Sequence, residues 1–238
     1  MLSYDKPVSV NASPSSAANM VATLNTMGAN PKPINATVVP VTSNNTIAKT
    51  NGQPAPRHHH IWLVTGPAGC GKSTVAKHLS TSLNLPYIEG DEYHPKANVE
   101  KMANGIPLTD ADRWDWLTAL REESLRQLAS GAEGVVLTCS ALKRKYRDVI
   151  RVAPYYSHDV VLHFIYLHAP EKVLMERVGL RQNHYMGANM VHSQFSILEP
   201  PTAEETDVIS LDVSGPMDDV MREALDKVLK KIDEAASS

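Results

Sequence analysis

Apolar and polar positions divide this chain into two unlike parts. Residues 1 to about 57 are rich in Ser, Thr, Asn, Ala and Pro, and neither a 3.6-residue nor a two-residue apolar period persists there. Such a segment cannot bury enough apolar surface to offset the entropy of ordering it, so it is expected to be a disordered extension. From residue 58 onward short apolar runs alternate with amphipathic stretches. Ile61-Trp62-Leu63-Val64-Thr65 reads as a buried strand, and Ser73 to Leu83 as a helix. Pro86 to Gly90 reads as a second strand ending at Asp91, and Asp112 or Arg113 opens a helix reaching about Ser130. Val135 to Thr138 is a third strand, Ala141 to Val152 a basic helix and Val160 to Leu167 a fourth strand. Pro170 suits the first turn of a helix running to about Leu180. Asp207 to Val213 gives a fifth strand, and Pro216 to Ala235 a last helix. Strands alternating with helices predict an α/β fold: a five-stranded parallel sheet covered on both faces.

The turn between the first strand and the first helix carries the chemistry. Gly66-Pro67-Ala68-Gly69-Cys70-Gly71-Lys72-Ser73 has the spacing G-x-x-x-x-G-K-[ST]. Glycines let backbone N–H groups approach phosphate oxygens, and the helix N-terminus adds partial positive charge. Lys72 is placed to reach the β- and γ-phosphates of ATP, Ser73 to ligate Mg²⁺, and Thr74 to continue the cradle. Cys70 is either a small residue that fits or a thiol whose pKa the helix end lowers.

A guanine-reading Asn-Lys-x-Asp is absent, which argues against a GTPase switch. The third strand ends Thr138-Cys139-Ser140, without the metal-binding Asp of a large motor ATPase. Asp91, beyond the second strand, is then the candidate for acidic support of the metal, because ligands of open α/β sheets bind past the carboxyl ends of strands. Arg177 and Arg181 share a helix face at i, i+4 spacing and run into a segment of Asn, His, Tyr, Met and Gly. This pattern predicts a lid over about 181–193 whose arginines clamp the phosphoryl oxygens.

Composition narrows the class. The 238 residues carry a formal net charge of -3 and 42% hydrophobic residues. Near-balanced charge gives no sign of nucleic-acid binding, and no apolar run approaches the ~20 residues of a membrane helix. Two cysteines, Cys70 and Cys139, fall on opposite sides of the expected sheet, so a disulfide is not expected and a reducing, cytoplasmic setting fits. His58-His59-His60 reads as a solvated linker rather than a metal site, and Trp114 and Trp116 as packing residues. The triplets at Asn11, Asn35 and Asn44 read as chance in Asn/Ser/Thr-rich text.

Several separated motifs go further. Gly90-Asp91-Glu92-Tyr93-His94-Pro95, Asn98, Lys101-Met102, Gly105 to Asp110, Asp112-Arg113 and Trp116-Leu117 come in order. Cys139 to Lys143, Tyr146-Arg147-Asp148, His184-Tyr185-Met186, Ser193-Gln194-Phe195 and Leu198-Glu199-Pro200 follow. Together these resemble the gluconokinase family over roughly residues 60 to 232. The resemblance implies a nucleoside-monophosphate-kinase-like P-loop fold with a mobile lid, over a domain of residues 58–238. It also implies ATP-dependent phosphorylation of D-gluconate to 6-phosphogluconate for the pentose phosphate route, and a homodimer as in many family members. The sequence departs from the family at Gln182-Asn183, where Lys-Gly often precedes the His. Gluconate, an anionic polyol, needs a cation and several polar partners. His94, Arg113, Lys143, Arg147, His184 and Gln194 supply that chemistry, with Arg113 or Arg147 taking the carboxylate bidentately. Asp91 is expected to orient the terminal hydroxyl. The turn at Gly215 before Pro216 corresponds to one that packs on adenine in relatives of the fold. A shikimate or nucleotide kinase, or a regulator that binds nucleotide without catalysis, are the competing readings.

Overall fold

The apolar runs become five strands: β1 (His59–Thr65), β2 (Tyr87–Ile88), β3 (Gly134–Thr138), β4 (Val160–His168) and β5 (Val208–Asp212). They form one parallel sheet in the order β2-β3-β1-β4-β5 in a computed structural model that describes residues 58–180 and 188–237. The expected extension over 1–57 lies outside the described residues. Central β1 pairs with β3 (Ile61 opposite Val135) and with β4 (Trp62 opposite His163). The helices are α1 (Lys72–Leu83), α2 (Lys96–Ala103), α3 (Trp114–Ala129), α4 (Arg144–Arg151) and α5 (Ala153–Tyr156). They continue with α6 (Glu171–Gly179), α7 (Ala188–Ile197) and α8 (Met217–Ala236).

Alternation along β1 sends side chains to two cores. Trp62 and Val64 join α1 and α8 through Val75, Leu79, Val220 and Val228. Ile61 and Leu63 join α3 and α4 through Trp116, Leu120, Tyr146 and Ile150. Each fully buried Leu or Ile of this kind contributes roughly 1.5–3 kcal/mol of transfer free energy. Cys70 lies in the first core and Cys139 in the second, both as free thiols.

Four local expectations change. The His58–His60 run is not a linker: His59 and His60 belong to β1, and His60 is buried and stacks on Trp62 at 5.2 Å. Its Nδ1 lies 3.3 Å from Nε2 of His163, itself buried. Among the described residues no group of three or more His, Cys, Asp or Glu could hold a metal ion. β2 stops at Ile88 because Gly90–Tyr93 turns into a 3-10 helix. Gly90 is required there, since a Cβ would sit 1.8 Å from the Thr138 carbonyl oxygen. The helix expected from Ala141 starts at Arg144, because Ala141 has φ of +34° and cannot begin a helix. Finally, two helices went unread. α2 buries only Asn98 and Met102 and so has no apolar stripe, and α7 occupies part of the segment read as a lid loop.

Arg147 supplies the main correction. It is 1% exposed and forms a two-pronged ion pair with Glu205, Nε and Nη2 each 2.7 Å from a carboxylate oxygen. Its Nη1 donates to the carbonyls of Ala141 (3.2 Å) and Glu199 (3.1 Å). Arg151 adds a third bond to Glu205 and a pair to Asp207. Arg147 is therefore a brace tying α4 to the strained turn after β3 and to the segment before β5; four of its five N–H donors are engaged, and it is buried away from the cavity where a substrate carboxylate would bind. The Arg147 hydrogen bonds come first among the causes that hold the Glu205 carboxyl down at about 2. Arg147→Leu, which leaves that carboxylate buried with one partner fewer, is expected to cost about 3–5 kcal/mol. Urea titration of the full chain measures the loss, and one below ~1 kcal/mol would contradict the brace.

Candidate active site

The loop Gly66–Ser73 leaves β1 at the C-terminal edge of the sheet and enters α1. Gly71 caps that helix with φ of 93°, and no side chain hydrogen-bonds the cap. A Cβ at Gly71 would also meet Met217 Cε at 2.6 Å. The first N–H groups of α1 thus stay available to an anion, with the helix dipole behind them. Lys72 folds over the loop, its Nζ donating to the carbonyls of Gly66 and Pro67 at 3.1 Å each. Cys70 is fully buried, and burial pushes its thiol up. Packing therefore prevails over activation by the helix end.

A cavity of about 590 Å³ opens in front of this loop. Ala68, Gly69, Gly71, Lys72, Ser73 and Thr74 form its donor side. The 3-10 turn after β2 brings Asp91 to the same cavity. Burial raises the Asp91 carboxyl above the ordinary range and the neighbouring Glu89 charge adds to this, while the Lys72 charge opposes it. His94 stacks on Trp116 with ring centres 4.0 Å apart, and Trp116 Nε1 donates to the Gly90 carbonyl at 2.7 Å. Burial, helped by the Arg113 charge, lowers His94 to about 4, so its ring is neutral at pH 7. Arg113 also lines the cavity. Its Nη1 donates to the carbonyls of Leu108 and Thr109, and its guanidinium lies 5.3 Å from the Tyr146 ring centre. Tyr146 is fixed in turn by its hydroxyl's bond to Asp110.

The remaining sequence-predicted residues divide. Gln194, on α7, lines the cavity and accepts a 2.7 Å hydrogen bond from the Ala68 N–H through Oε1. Lys143 does not line the cavity: it pairs with Asp110 at 3.0 Å, beside Lys145 on the same carboxylate. Arg177 donates from Nη2 to the Gly215 carbonyl at 3.2 Å, joining α6 to the turn before α8. Arg177 does not line the cavity, and its buried Nη1 has no hydrogen-bond partner among the described residues. Arg181 and His184 lie outside the described residues.

Among the cavity residues that escaped the sequence reading of the site are Glu89 and Ser140. Glu89 accepts hydrogen bonds from Thr138 Oγ1, Tyr87 and Ser73. Burial works to raise its carboxyl, but these bonds outweigh it and hold it below the usual range. Its position two residues before Asp91 at a strand end was the available signal. Ser140 also lines the cavity, its carbonyl held by the Thr65 hydroxyl at 2.6 Å.

Comparison with known proteins finds relatives over most of the chain. Residues 63–194 fit a family model described as an AAA domain. The chain is 48% identical over 178 residues to a probable gluconokinase of Schizosaccharomyces pombe, covering 74% of this chain and 92% of that one. It is 37% identical over 173 residues to the thermoresistant gluconokinase of Escherichia coli, covering 73% and 95%. A crystal structure of a gluconokinase from Sinorhizobium meliloti 1021 superposes with a TM-score of 0.64 at 39% identity, covering 76% of this chain and 97% of that chain. On this likeness over nearly the whole length of its relatives, the chain belongs to the gluconokinase family.

Proposed function

We propose that the chain transfers the γ-phosphoryl group of ATP to the terminal hydroxyl of D-gluconate, giving 6-phospho-D-gluconate and ADP. The observation that carries this is one cavity holding Lys72 of a phosphate loop, the carboxylate Asp91 and the cation Arg113. Donor and acceptor chemistry meet there. A coupled assay of ADP release over a panel of sugar acids, shikimate and AMP tests it. Turnover of the last two with none of gluconate would sink the reading.

The uncapped N-terminus of α1, in front of the cavity, fits a polyphosphate. On binding, Lys72 exchanges its two loop carbonyls for β- and γ-phosphate oxygens. The Ser73 hydroxyl and the Glu89 carboxylate are hard oxygen donors suited to Mg²⁺, and they would hold it on the donor side. The ion supplies charge neutralisation of the phosphates. Arg113 takes the gluconate carboxylate, while neutral His94 and Ser140 bond its hydroxyls. Asp91 orients the terminal hydroxyl and receives its proton as the new O–P bond forms and the bond to ADP breaks. The raised Asp91 carboxyl is more basic than an ordinary one, and positioning supplies most of the rate. The catalytic unit is residues 58–238. Among its described residues no helix is long and apolar enough to cross a membrane, and both thiols are free, which fits the reducing cytoplasm.

Three substitutions separate these roles. Lys72→Ala is expected to lower kcat by about 10³-fold or more through lost stabilisation of the phosphoryl group. Asp91→Asn is expected to lower kcat about 10²–10⁴-fold while ATP affinity, read by titration calorimetry, stays within about threefold. Near-normal kcat would make Asp91 only structural. Arg113→Ala should raise KM for gluconate at least about tenfold and leave KM for ATP unchanged, since a charge-assisted pair contributes about 1.5–3 kcal/mol.

A further inference from the structure

The motif Leu198-Glu199-Pro200 and the Gln194 amide share one feature: both anchor α7 or its exit to opposite halves of the site. On the donor half, Gln194 Oε1 accepts the Ala68 N–H of the phosphate loop at 2.7 Å. On the acceptor half, the Glu199 N–H donates to the Leu142 carbonyl at 2.8 Å. The Glu199 carboxylate accepts the Arg144 N–H at 2.8 Å and so caps α4 from 55 residues away. The Glu199 carbonyl accepts from Arg147, which also holds the strained Ala141 carbonyl beside cavity-lining Ser140. Ser193 and Gln194 at the first anchor, and Ser196 and Ile197 between the two, line the cavity itself. Fully buried Val191 roots the helix in the core, and His192 meets Glu171 of α6 at 2.9 Å.

We propose that α7 is a strut setting the separation between the donor phosphates and the acceptor hydroxyl, with Gln194 and Glu199 as its positioning residues. Phosphoryl transfer requires attacking and leaving oxygens in line, and an error near 1 Å costs about 10²-fold in rate. The strut is aimed at that sensitivity. It joins the loop that holds the phosphates to the turn that presents Ser140, two segments with no other side-chain bridge on this side of the cavity among the described residues than Thr65 to Ser140. Released from either anchor, the helix stays in the core through Val191 but no longer fixes the gap. This inference rests on the kinase reading above.

The test uses the full chain as Gln194→Leu, Glu199→Ala, the double variant and Glu199→Gln, with gluconate-dependent ADP release and acceptor-independent ATP hydrolysis as paired readouts. Each of the first two is expected to lower gluconate kcat about 10- to 100-fold. Hydrolysis to water should not fall in step, and KM for ATP should stay within about threefold, because Lys72 and the N–H groups at the start of α1 are unchanged. Glu199→Gln, whose amide oxygen still accepts the Arg144 N–H, should recover most of the rate. The double variant should be no worse than the poorer single by more than about threefold, since both release one helix. Unchanged kcat in both singles, losses that multiply, or equal loss of transfer to water and to gluconate would overturn the strut. If Gln194→Leu does not fold, Gln194→Asn, too short to reach Ala68, is read in the same way. A wild-type chain inactive on gluconate would sink the functional reading instead. The strut is then judged from amide exchange at Ala68, which should accelerate in Gln194→Leu and would refute the strut if unchanged.

Discussion

An uncapped helix N-terminus at the C-terminal edge of a sheet buried on both faces is the constraint around which this protein is arranged. The α1 dipole ends at Gly71 with no side chain to answer it. Such an end is favourable only beside an anion or water, so the chain keeps a cavity in front of it. Everything polar on that edge is then placed by how it relates to this positive end. Lys72 is parked on carbonyls, Glu89 is held by three hydroxyls, and Asp91 stands on the cavity wall close enough to feel both. Cys139, under the same floor, is pushed up to about 12 by burial and stays a packing residue.

Rigidity on the acceptor side comes from contacts distant in sequence. The Ala141 turn is held in an unfavourable conformation by Arg147, and Arg147 by Glu205. Glu199 caps α4, and Asp110 gathers Lys143, Lys145 and Tyr146 into one knot. On this acceptor wall Arg113 is the cation that lines the cavity, opposite Lys72 on the donor side. Lys143, which looked like a substrate ligand, is spent on holding the wall in place.

These long-range partners explain what could be read in the sequence and what could not. The phosphate loop is a local device: its strand, glycines, lysine and helix lie within a few residues, and spacing alone exposes them. The five strands were legible because each is a short apolar run between turn residues. The role of Arg147 was not, because its partner lies 58 residues away and a buried ion pair looks in sequence like a surface charge. His60 looked solvated because its partner, His163, is on another strand. α2 escaped because a helix that buries two side chains has no period to find. Glu89 was legible only as the end of a strand, since its meaning comes from Ser73 and Thr138 around it.

The stack of His60, Trp62 and His163 carries a consequence for the other end of the sheet. Burial, with the His60 charge and then that of Lys231, lowers His163 to about 4 against only the opposing charge of Asp207. Burial and the neighbouring His58 and His59 lower His60 as well. Two imidazoles 3.3 Å apart in an aromatic seam share a hydrogen bond only while at least one stays neutral. The folded chain therefore binds fewer protons here than the unfolded one, so the seam contributes fully above about pH 6.5 and loses that contribution as pH falls toward 4. The fold thus carries an acid limit at the foot of its central strands, set by two side chains that take no part in phosphoryl transfer.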